Sequence, residues 1–304
     1  WEWNGTNWTQ MLPMNHPQPR ELVASAYDPH RAAVLIVGGA GLAVYRDAWF
    51  FDGNDWLEHV PLFSVNNTND SGVGSLRQAI MDANGQPGTG LIAFNIPGPG
   101  PFTIRPNSAL PEITDRVVID GYTQPGAATN SLAEGTNARL LVELDGSAVT
   151  SGSRNGLYLR SSGCVVRGLA INRFGWKGIR VGYNGPGSVS GNVIEGNFIG
   201  TDITGQIARP NLENGIALES GEGNVIGGTL PGQRNLISGN QGEGIIAVSV
   251  SATNLIQCNL VGTDASGTNR LGNGGSGIYL QTRGNIVGGL LPTARNIVAA
   301  NSSG

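Results

Sequence analysis

Residues 192–240 read NVIEGNFIGTDITGQIARPNLENGIALESGEGNVIGGTLPGQRNLISGN, and residues 254–301 repeat the pattern as NLIQCNLVGTDASGTNRLGNGGSGIYLQTRGNIVGGLLPTARNIVAAN. Matching residues stand 62 positions apart at first and 61 apart after one deletion. Examples are Asn192/Asn254, Asp202/Asp264, Asn224/Asn285 and Arg234/Arg295. Inside each copy an Asn-x-aliphatic unit recurs at intervals of 32, 30 and 31 residues, so each block consists of two turns of similar length.

Every turn contains short apolar segments that glycine and asparagine interrupt, such as GIAL, NVIGG and RNLISGN. Such segments are too short for helices, and their β-branched content favours strands. Stacked turns bury one continuous apolar column while each strand pairs with the strand one turn away. The sequence therefore predicts an all-β fold, a parallel β-helix (solenoid), with Asn192, Asn224, Asn254 and Asn285 in one file. A β-sandwich is the alternative, and it accounts poorly for the long repeat.

The stretch SVNNTNDSGVGSLRQAIMDANGQPG, residues 64–88, contains the one segment with a convincing helical pattern. Ser75 can cap its start, and Asn84 followed by Gly85 ends it. Its apolar stripe consists of Leu76, Ala79 and Ile80. Because terminal units of a solenoid need a polar outer face, we expect this helix to cap the solenoid, with the cap at about residues 63–90.

A different repeat occupies residues 1–60. WEWNGTNW, starting at Trp1, matches WFFDGNDW, starting at Trp49, with an offset of 48 residues, and an apolar run between them ends in Gly38-Gly39. This segment resembles a blade of the kelch repeat, whose period is about 50 residues. We therefore expect two domains, a kelch-blade-like β segment at 1–60 and the β-helix at 61–304.

The motifs after residue 62 also carry a family resemblance. GSLRQAIMDAN, LIAFNIPG, VVIDGYTQPGA, LLVELDGS, IEGNFIGTDITG and RNLISGN are similar to segments of bacterial secreted or surface proteins of the right-handed parallel β-helix repeat type. The resemblance implies a right-handed coil and an extracellular or cell-surface location. It brings no catalytic residue set with it.

Composition narrows the classes of partner. The net charge is -4 and the pI is near 5.4, so no basic surface for nucleic acid is indicated. No apolar run approaches the length that spans a bilayer, which predicts no membrane insertion. The two cysteines, Cys164 and Cys258, are expected to be small buried side chains. The three histidines, His16, His30 and His59, have no ligand spacing, so no metal site is predicted among them.

Carboxylates precede several corner glycines. Asp120, Asp145, Arg167 and Glu195 follow one another at intervals of 25, 22 and 28 residues, which are lengths of about one turn. We expect them to form one column on successive strands, about 4.8 Å apart. Glu143 and Asp145 should also share a face at about 6.5 to 7 Å, within the separation that inverting glycosidases use.

These five residues are the candidate catalytic set. They can act as an acid/base pair, or hold Ca²⁺, on a carbohydrate groove; no other cofactor is indicated. The alternative is structural, since Asp-Gly is a common turn and ladders of Asp, Arg and Glu occur as plain surface salt bridges.

A second candidate site follows the Gly-Ile corners. Aligning Leu157, Ile179, Ile216, Ile245 and Ile278 inward leaves outward rows that contain Tyr158, Arg160, Arg180, Glu219, Tyr279 and Gln281. Tyrosine rings beside charged and amide groups suit a sugar-binding wall. Trp176 and Lys177 lie in a longer corner and could flank it. The alternatives are an ordinary solvated sheet face and a loop that only packs.

The loops GTDITG and GTDASG, around Asp202 and Asp264, have too few ligands for Ca²⁺ and are expected to form Asx turns. Two functions remain. The first is a secreted or surface protein that binds a polysaccharide, a cell-surface glycan or matrix through its sheet faces. The second is a polysaccharide lyase or glycoside hydrolase, which is favoured only by analogy with other parallel β-helices.

Overall fold

The structure, a computed structural model, describes residues 2–3, 5–29, 32–41, 47–86, 88–182 and 189–303. Trp1 and His30, which entered the sequence analysis, lie outside the described residues. Internal contacts divide the chain into two units. One comprises Trp1–Pro61 with Gly85–Gly90, and the other comprises Leu62–Asn84 with Leu91–Gly304.

The first unit contains antiparallel strands. They are β1 (Glu2–Trp3), β2 (Trp8–Thr9), β3 (Ala24–Asp28), β4 (Ala33–Val37), β5 (Ala48–Phe51) and β6 (Trp56–Glu58). β1 pairs with β2, and β3 to β6 form a four-stranded sheet in chain order. The 48-residue repeat is a repeated hairpin, because Trp3 faces Trp8 as Phe51 faces Trp56.

The second unit begins with β7 (Leu62–Val65), α1 (Leu76–Asn84), β8 (Gly90–Phe94) and β9 (Phe102–Ile104). Five turns of three strands follow: β10 (Val117–Asp120), β11 (Val142–Asp145) and β12 (Leu157–Leu159); β13 (Val165–Arg167), β14 (Leu169–Asn172) and β15 (Ile179–Val181); β16 (Val193–Glu195), β17 (Phe198–Ile199) and β18 (Ile216–Glu222); β19 (Val225–Gly227), β20 (Leu236–Ile237) and β21 (Ile245–Ala252); and β22 (Leu255–Gln257), β23 (Leu260–Val261) and β24 (Ile278–Leu280). β25 (Ile286–Val287) and β26 (Ile297–Val298) complete it. Short 3-10 helices stand at Gly121–Thr123, Gly146–Ala148, Pro231–Gln233 and Pro292–Ala294.

Three long sheets arise because the chain visits them in the same order on every turn. Sheet 1 has the order β25-β22-β19-β16-β13-β10-β8-β7, sheet 2 the order β26-β23-β20-β17-β14-β11-β9, and sheet 3 the order β12-β15-β18-β21-β24. The strand pairs described in these sheets are parallel. The second unit is thus predominantly β with long parallel sheets, as a β-helix requires, and the antiparallel β-sandwich alternative is wrong.

One apolar core runs through the second unit. The inward residues Leu157, Ile179, Ile216 and Ile245 of sheet 3 face one another across successive strands and are buried, as their alignment predicts. Their neighbours in the core come from sheets 1 and 2, for example Ile194 and Ile199. Removing this much apolar surface from water is the main stabilising contribution to the fold.

Asparagine ladders close the corners of the coil. Asn192, Asn224, Asn254 and Asn285 lie in one file. In each of the first three, the backbone N–H and the Nδ2 donate to the Oδ1 of the next asparagine at 2.9 to 3.0 Å. In two more files, Asn197/Asn235/Asn259/Asn296 and Asn211/Asn240/Asn273/Asn301, the Nδ2 of each asparagine donates to the Oδ1 of the next. The predicted file is confirmed, and it satisfies buried polar groups turn after turn.

Helix α1 packs on the start of the core. It buries Leu76, Ala79 and Ile80, the predicted stripe, and Ser75 accepts the Gln78 N–H at its first turn. The helix ends at Asn84, where the sequence predicts its end. Among the described residues no helix has the length and apolar character needed to cross a bilayer.

A second, smaller core covers the outer face of sheet 2. Its outward column is apolar from Ala170 through Phe198, Leu236 and Leu260. The connection from the first 3-10 helix to β11, residues 124–141, contributes Ala138 and Leu140 to this cluster. We call this connection the strap. It hydrogen-bonds to later turns, as in Thr136 N–H to Ala265 O at 2.7 Å.

Candidate functional site

Asp120, Arg167 and Glu195 form a column on sheet 1. Asp120 at the end of β10 faces Arg167 of β13, which faces Glu195 of β16. Each of the three is the last residue of its strand. The sequence prediction of this part of the column agrees with the structure.

Asp145 does not belong to the column, so that part of the prediction is wrong. It lies in sheet 2, opposite Asn172 of β14. The strap is the physical reason. It lengthens the connection between β10 and β11 until their spacing of 25 residues imitates a full turn, whereas the real turn from Asp120 to Arg167 takes 47 residues.

Ion pairs hold the three column residues together. Arg167 Nη2 donates to Asp120 Oδ2 at 2.7 Å, and Arg167 Nη1 lies 3.6 Å from Glu195 Oε1. The hydrogen bond to Asp120 raises the pKa of the arginine, against the opposing effect of burial. Asp120 also accepts the Tyr122 N–H at 3.0 Å and is nearly buried. Asp120 is therefore a fixed anchor for the guanidinium.

A depression of about 400 Å³ opens beside this column. It is lined by Tyr122, Thr129, Asn130, Arg167, Glu195, Leu230, Gly232 and Gln233. We call it the Arg167 depression. Its volume falls within the range of small-ligand sites, and its wall combines polar groups with an aromatic ring. The Arg167 side chain is 42% exposed, although its Nε is buried without a hydrogen-bond partner.

The walls of the depression come from three parts of the chain. Gln233, in a 3-10 helix, donates to Glu195 Oε2 at 2.9 Å. Tyr122 donates to Gly196 O at 2.8 Å, and burial, with the nearby charges of Asp120 and Glu195, raises the pKa of its phenol, which stays a donor. Gly196 has φ +64, and a Cβ there would lie 2.7 Å from the Tyr122 hydroxyl. The absence of a side chain at Gly196 therefore lets the Tyr122 ring line the depression.

The strap supplies the remaining wall and is locked by buried polar side chains. Asn130, 4% exposed, donates to Pro231 O at 3.0 Å. Arg234, 6% exposed, donates to Gly135 O at 2.5 Å and to Ala133 O at 2.8 Å. Its guanidinium charge is thus met by carbonyl dipoles of the strap, which holds the Asn130 side of the depression in place.

Glu143 and Asp145 share the outer face of β11, as the strand alternation predicts. Glu143 accepts from Thr103 Oγ1 at 2.8 Å and from Asn172 Nδ2 at 2.9 Å. Asp145 has a fully buried side chain and accepts from Arg105 and Arg173. Burial alone would raise the pKa of Asp145, but the Ser147 and Arg105 hydrogen bonds and the Arg173 charge lower it overall. Asp145 therefore stays ionised and saturated with donors.

The outward row of sheet 3 has the predicted register. Tyr158 faces Arg180, and the row continues through Ala217 and Ile246 to Tyr279. The second outward row is interrupted, because a bulge between Leu218 and Ser220 shifts the pairing of β18 with β21. Glu219 lies at this bulge.

Cations cover the tyrosine that was expected to stack on a sugar. The Arg180 guanidinium lies 4.4 Å from the Tyr158 ring centroid and Arg160 lies 5.9 Å from it, leaving the residue 9% exposed. Arg180 in turn donates to Glu219 at 2.5 Å. Arg160 pairs with Glu112. Charges on this face are thus engaged with one another rather than displayed for a ligand.

Of the other predicted wall residues, Lys177 joins this cluster through Glu219, whereas Trp176 and Tyr279 have other contacts. Lys177 pairs with Glu213 at 2.6 Å and lies 3.6 Å from Glu219. Trp176 is half-buried, with the Arg154 guanidinium 5.5 Å from its ring centroid. Tyr279 is 39% exposed, and its hydroxyl accepts from Gln281 at 2.9 Å.

The Asp202 and Asp264 loops are organised by local hydrogen bonds. Asp264 accepts the Ser266 N–H at 3.1 Å, an Asx turn, and Asp202 accepts the N–H of Gln206 and Ile207. Within the described ranges no group of three or more His, Cys, Asp and Glu residues could hold a metal ion. Both cysteines are free and buried, as predicted.

Sequence reasoning missed the wall residues Tyr122, Asn130 and Gln233. The sequence offered a signal for Tyr122 and Asn130, because the 47 residues from Asp120 to Arg167 exceed the usual length of a turn and so indicate an insertion. Gln233 lies in a repeated unit, GGTLPGQRN against GGLLPTARN, at a position where the copies differ.

Comparison with known proteins adds no family. Neither a scan against protein-family models nor a search of curated proteins gives a match.

Proposed function

We propose that residues 62–304 form a right-handed parallel β-helix that binds a glycan in the Arg167 depression. The repeated visits to three parallel sheets and the three asparagine ladders support the fold. The proposed ligand is a polysaccharide, a cell-surface glycan or a matrix glycan.

The depression itself is the observation that carries the proposal. A concave site of about 400 Å³ brings a half-exposed arginine, a carboxylate and a phenol ring to one place, next to two side-chain amides that are hydrogen-bonded within the protein. Sugars present many hydroxyl groups on a compact ring, and fixed donors and acceptors recognise such groups. The strap and the sheet keep these groups fixed, so little conformational entropy is lost on binding.

A lyase or glycoside hydrolase is less well supported. Such an enzyme needs a carboxyl group that gives up or takes a proton. Asp145 is buried and its pKa is lowered, and Asp120 is bound by Arg167 and the Tyr122 N–H. A carboxylate held in this way is a poor general acid, so binding without turnover fits the geometry better.

Titration calorimetry against neutral and uronate oligosaccharides tests the binding. Arg167→Gln should lower the affinity for the tightest-binding oligosaccharide at least about tenfold, since a hydrogen bond to a charged group contributes about 1.5–3 kcal/mol. Arg283→Gln is the matched control, because Arg283 is exposed and outside the depression. Equal affinity of wild type and Arg167→Gln would refute the site.

The same protein incubated with polysaccharides tests the enzymatic alternative. We expect neither new reducing ends nor unsaturated products. Turnover that disappears in Asp145→Asn would favour the enzyme over the binding protein.

The proposed place of action is the cell surface or the extracellular space, where polysaccharides are accessible. We propose further that the first unit is kelch-blade-like. The four-stranded antiparallel sheet β3 to β6 supports this, with Gly38 and Gly39 directly after β4.

A further inference from the structure

Arg167 Nη1 and Glu195 Oε1 form an ion pair at the depression but make no direct hydrogen bond, and the buried Arg167 Nε also lacks a hydrogen-bond partner. Arg167 Nη1 and Glu195 Oε1 are 3.6 Å apart, beyond hydrogen-bond distance. Within the described part of the chain, Nη2 bonds to Asp120 and Glu195 Oε2 accepts from Gln233, whereas Nη1 and Oε1 have no hydrogen-bond partner. The protein thus presents a donor beside an acceptor, because Asp120 holds the arginine and Gln233 holds the glutamate.

A hydroxyl group fits this pair, because it both donates and accepts. Its oxygen can accept from Arg167 Nη1 while its hydrogen points to Glu195 Oε1. A carboxylate at neutral pH only accepts, so it can satisfy the arginine but not the glutamate. It would also place a negative charge against Glu195, and like charges in a partly desolvated site oppose binding.

We infer that the Arg167 depression selects neutral sugars through their hydroxyl groups and rejects uronates. This inference rests on the proposed glycan-binding function. Glu195 is the specificity-determining residue, and Gln233 positions it by holding Oε2. Asp120 fixes the guanidinium from the other side, so the donor cannot swing away to meet a carboxylate alone.

Paired ligands test the inference by calorimetry at pH 7. Each pair is a neutral tetrasaccharide and the C6-oxidised uronate tetrasaccharide of the same linkage, taken from β-1,4-glucan, α-1,4-galactan and β-1,4-mannan. We expect the neutral member of the binding pair to be favoured by about tenfold or more. Glu195→Gln should reduce this preference to less than about threefold, because the charge repelling the uronate is removed.

Glu222→Gln is the matched control. Glu222 is exposed and does not line the depression, so the same change of charge there should leave the preference intact. If Glu195→Gln does not fold, Gln233→Met serves instead and should lower the preference, because it removes the donor that holds Glu195 Oε2 in place.

The outcomes separate the inference from the function beneath it. Binding of uronates as tightly as neutral sugars, or a preference unchanged in Glu195→Gln, overturns the inference and leaves glycan binding in place. Failure to bind either member of any pair in a panel extended to other linkages refutes the proposed function as well.

Discussion

Replacing one ladder asparagine tests how the corners of the coil are stabilised. Asn224 is 1% exposed. Its Oδ1 accepts from the backbone N–H and the Nδ2 of Asn192, both at 3.0 Å, and its Nδ2 donates to Asn254 at 2.9 Å. Asn224→Ala removes all three bonds and leaves two donors of Asn192 buried without an acceptor. At about 1–3 kcal/mol for each orphaned donor, the free energy of unfolding should fall by about 2–6 kcal/mol.

The last member of the same file is the control. Asn285 Oδ1 also accepts two bonds, from Asn254 at 2.9 and 3.0 Å, but Asn285 itself is only half-buried. Water can replace its oxygen, so Asn285→Ala should cost about 0–2 kcal/mol. Urea unfolding followed by far-UV circular dichroism measures both variants. Equal losses at the two positions would refute the argument that burial sets the cost.

Three other predictions concern buried polar groups. Arg234→Met should lower the free energy of unfolding by about 2–4 kcal/mol by releasing the strap. Arg295 is the equivalent residue of the second copy and is exposed, so Arg295→Met should cost about 0–1 kcal/mol. Equal melting temperatures of the two variants would contradict this prediction. Asp145 has a lowered pKa, so the stability it provides is present above its ordinary pKa of 3.8 and is lost as the pH falls through the folded value. The free energy of unfolding, measured by urea titration, should therefore differ less between wild type and Asp145→Asn in acid than at neutral pH. A difference that stays constant with pH would contradict this prediction. Burial raises the pKa of the Cys164 thiol to about 11, and Cys258 is also buried; a thiol reagent at pH 8 should react with neither until the protein unfolds, and rapid labelling of the native protein would disprove this.

The repeat made much of the second unit predictable. Aligned copies place Asn192 over Asn224 and Leu157 over Ile179 without knowledge of any contact, because parallel stacking keeps equivalent residues in one file. The end of α1 at Asn84 was also readable from local residues, since Asn-Gly stops a helix.

The misplacement of Asp145 has a physical origin in the strap. The spacing between similar residues indicates one turn only when the connections between strands have ordinary length. The strap makes the connection between β10 and β11 unusually long, so the sequence prediction placed Asp145 in the wrong sheet. The depression could not be predicted either, since Asn130 reaches Pro231 across 101 residues. Nor does a row of outward residues reveal that Arg180 covers Tyr158.

A crystal structure of the protein with its tightest-binding neutral oligosaccharide tests the central claim most directly. We expect one sugar hydroxyl within about 3 Å of both Arg167 Nη1 and Glu195 Oε1. A sugar bound elsewhere, such as beside the exposed Tyr279 of sheet 3, with the Arg167 depression holding only solvent, would contradict the account.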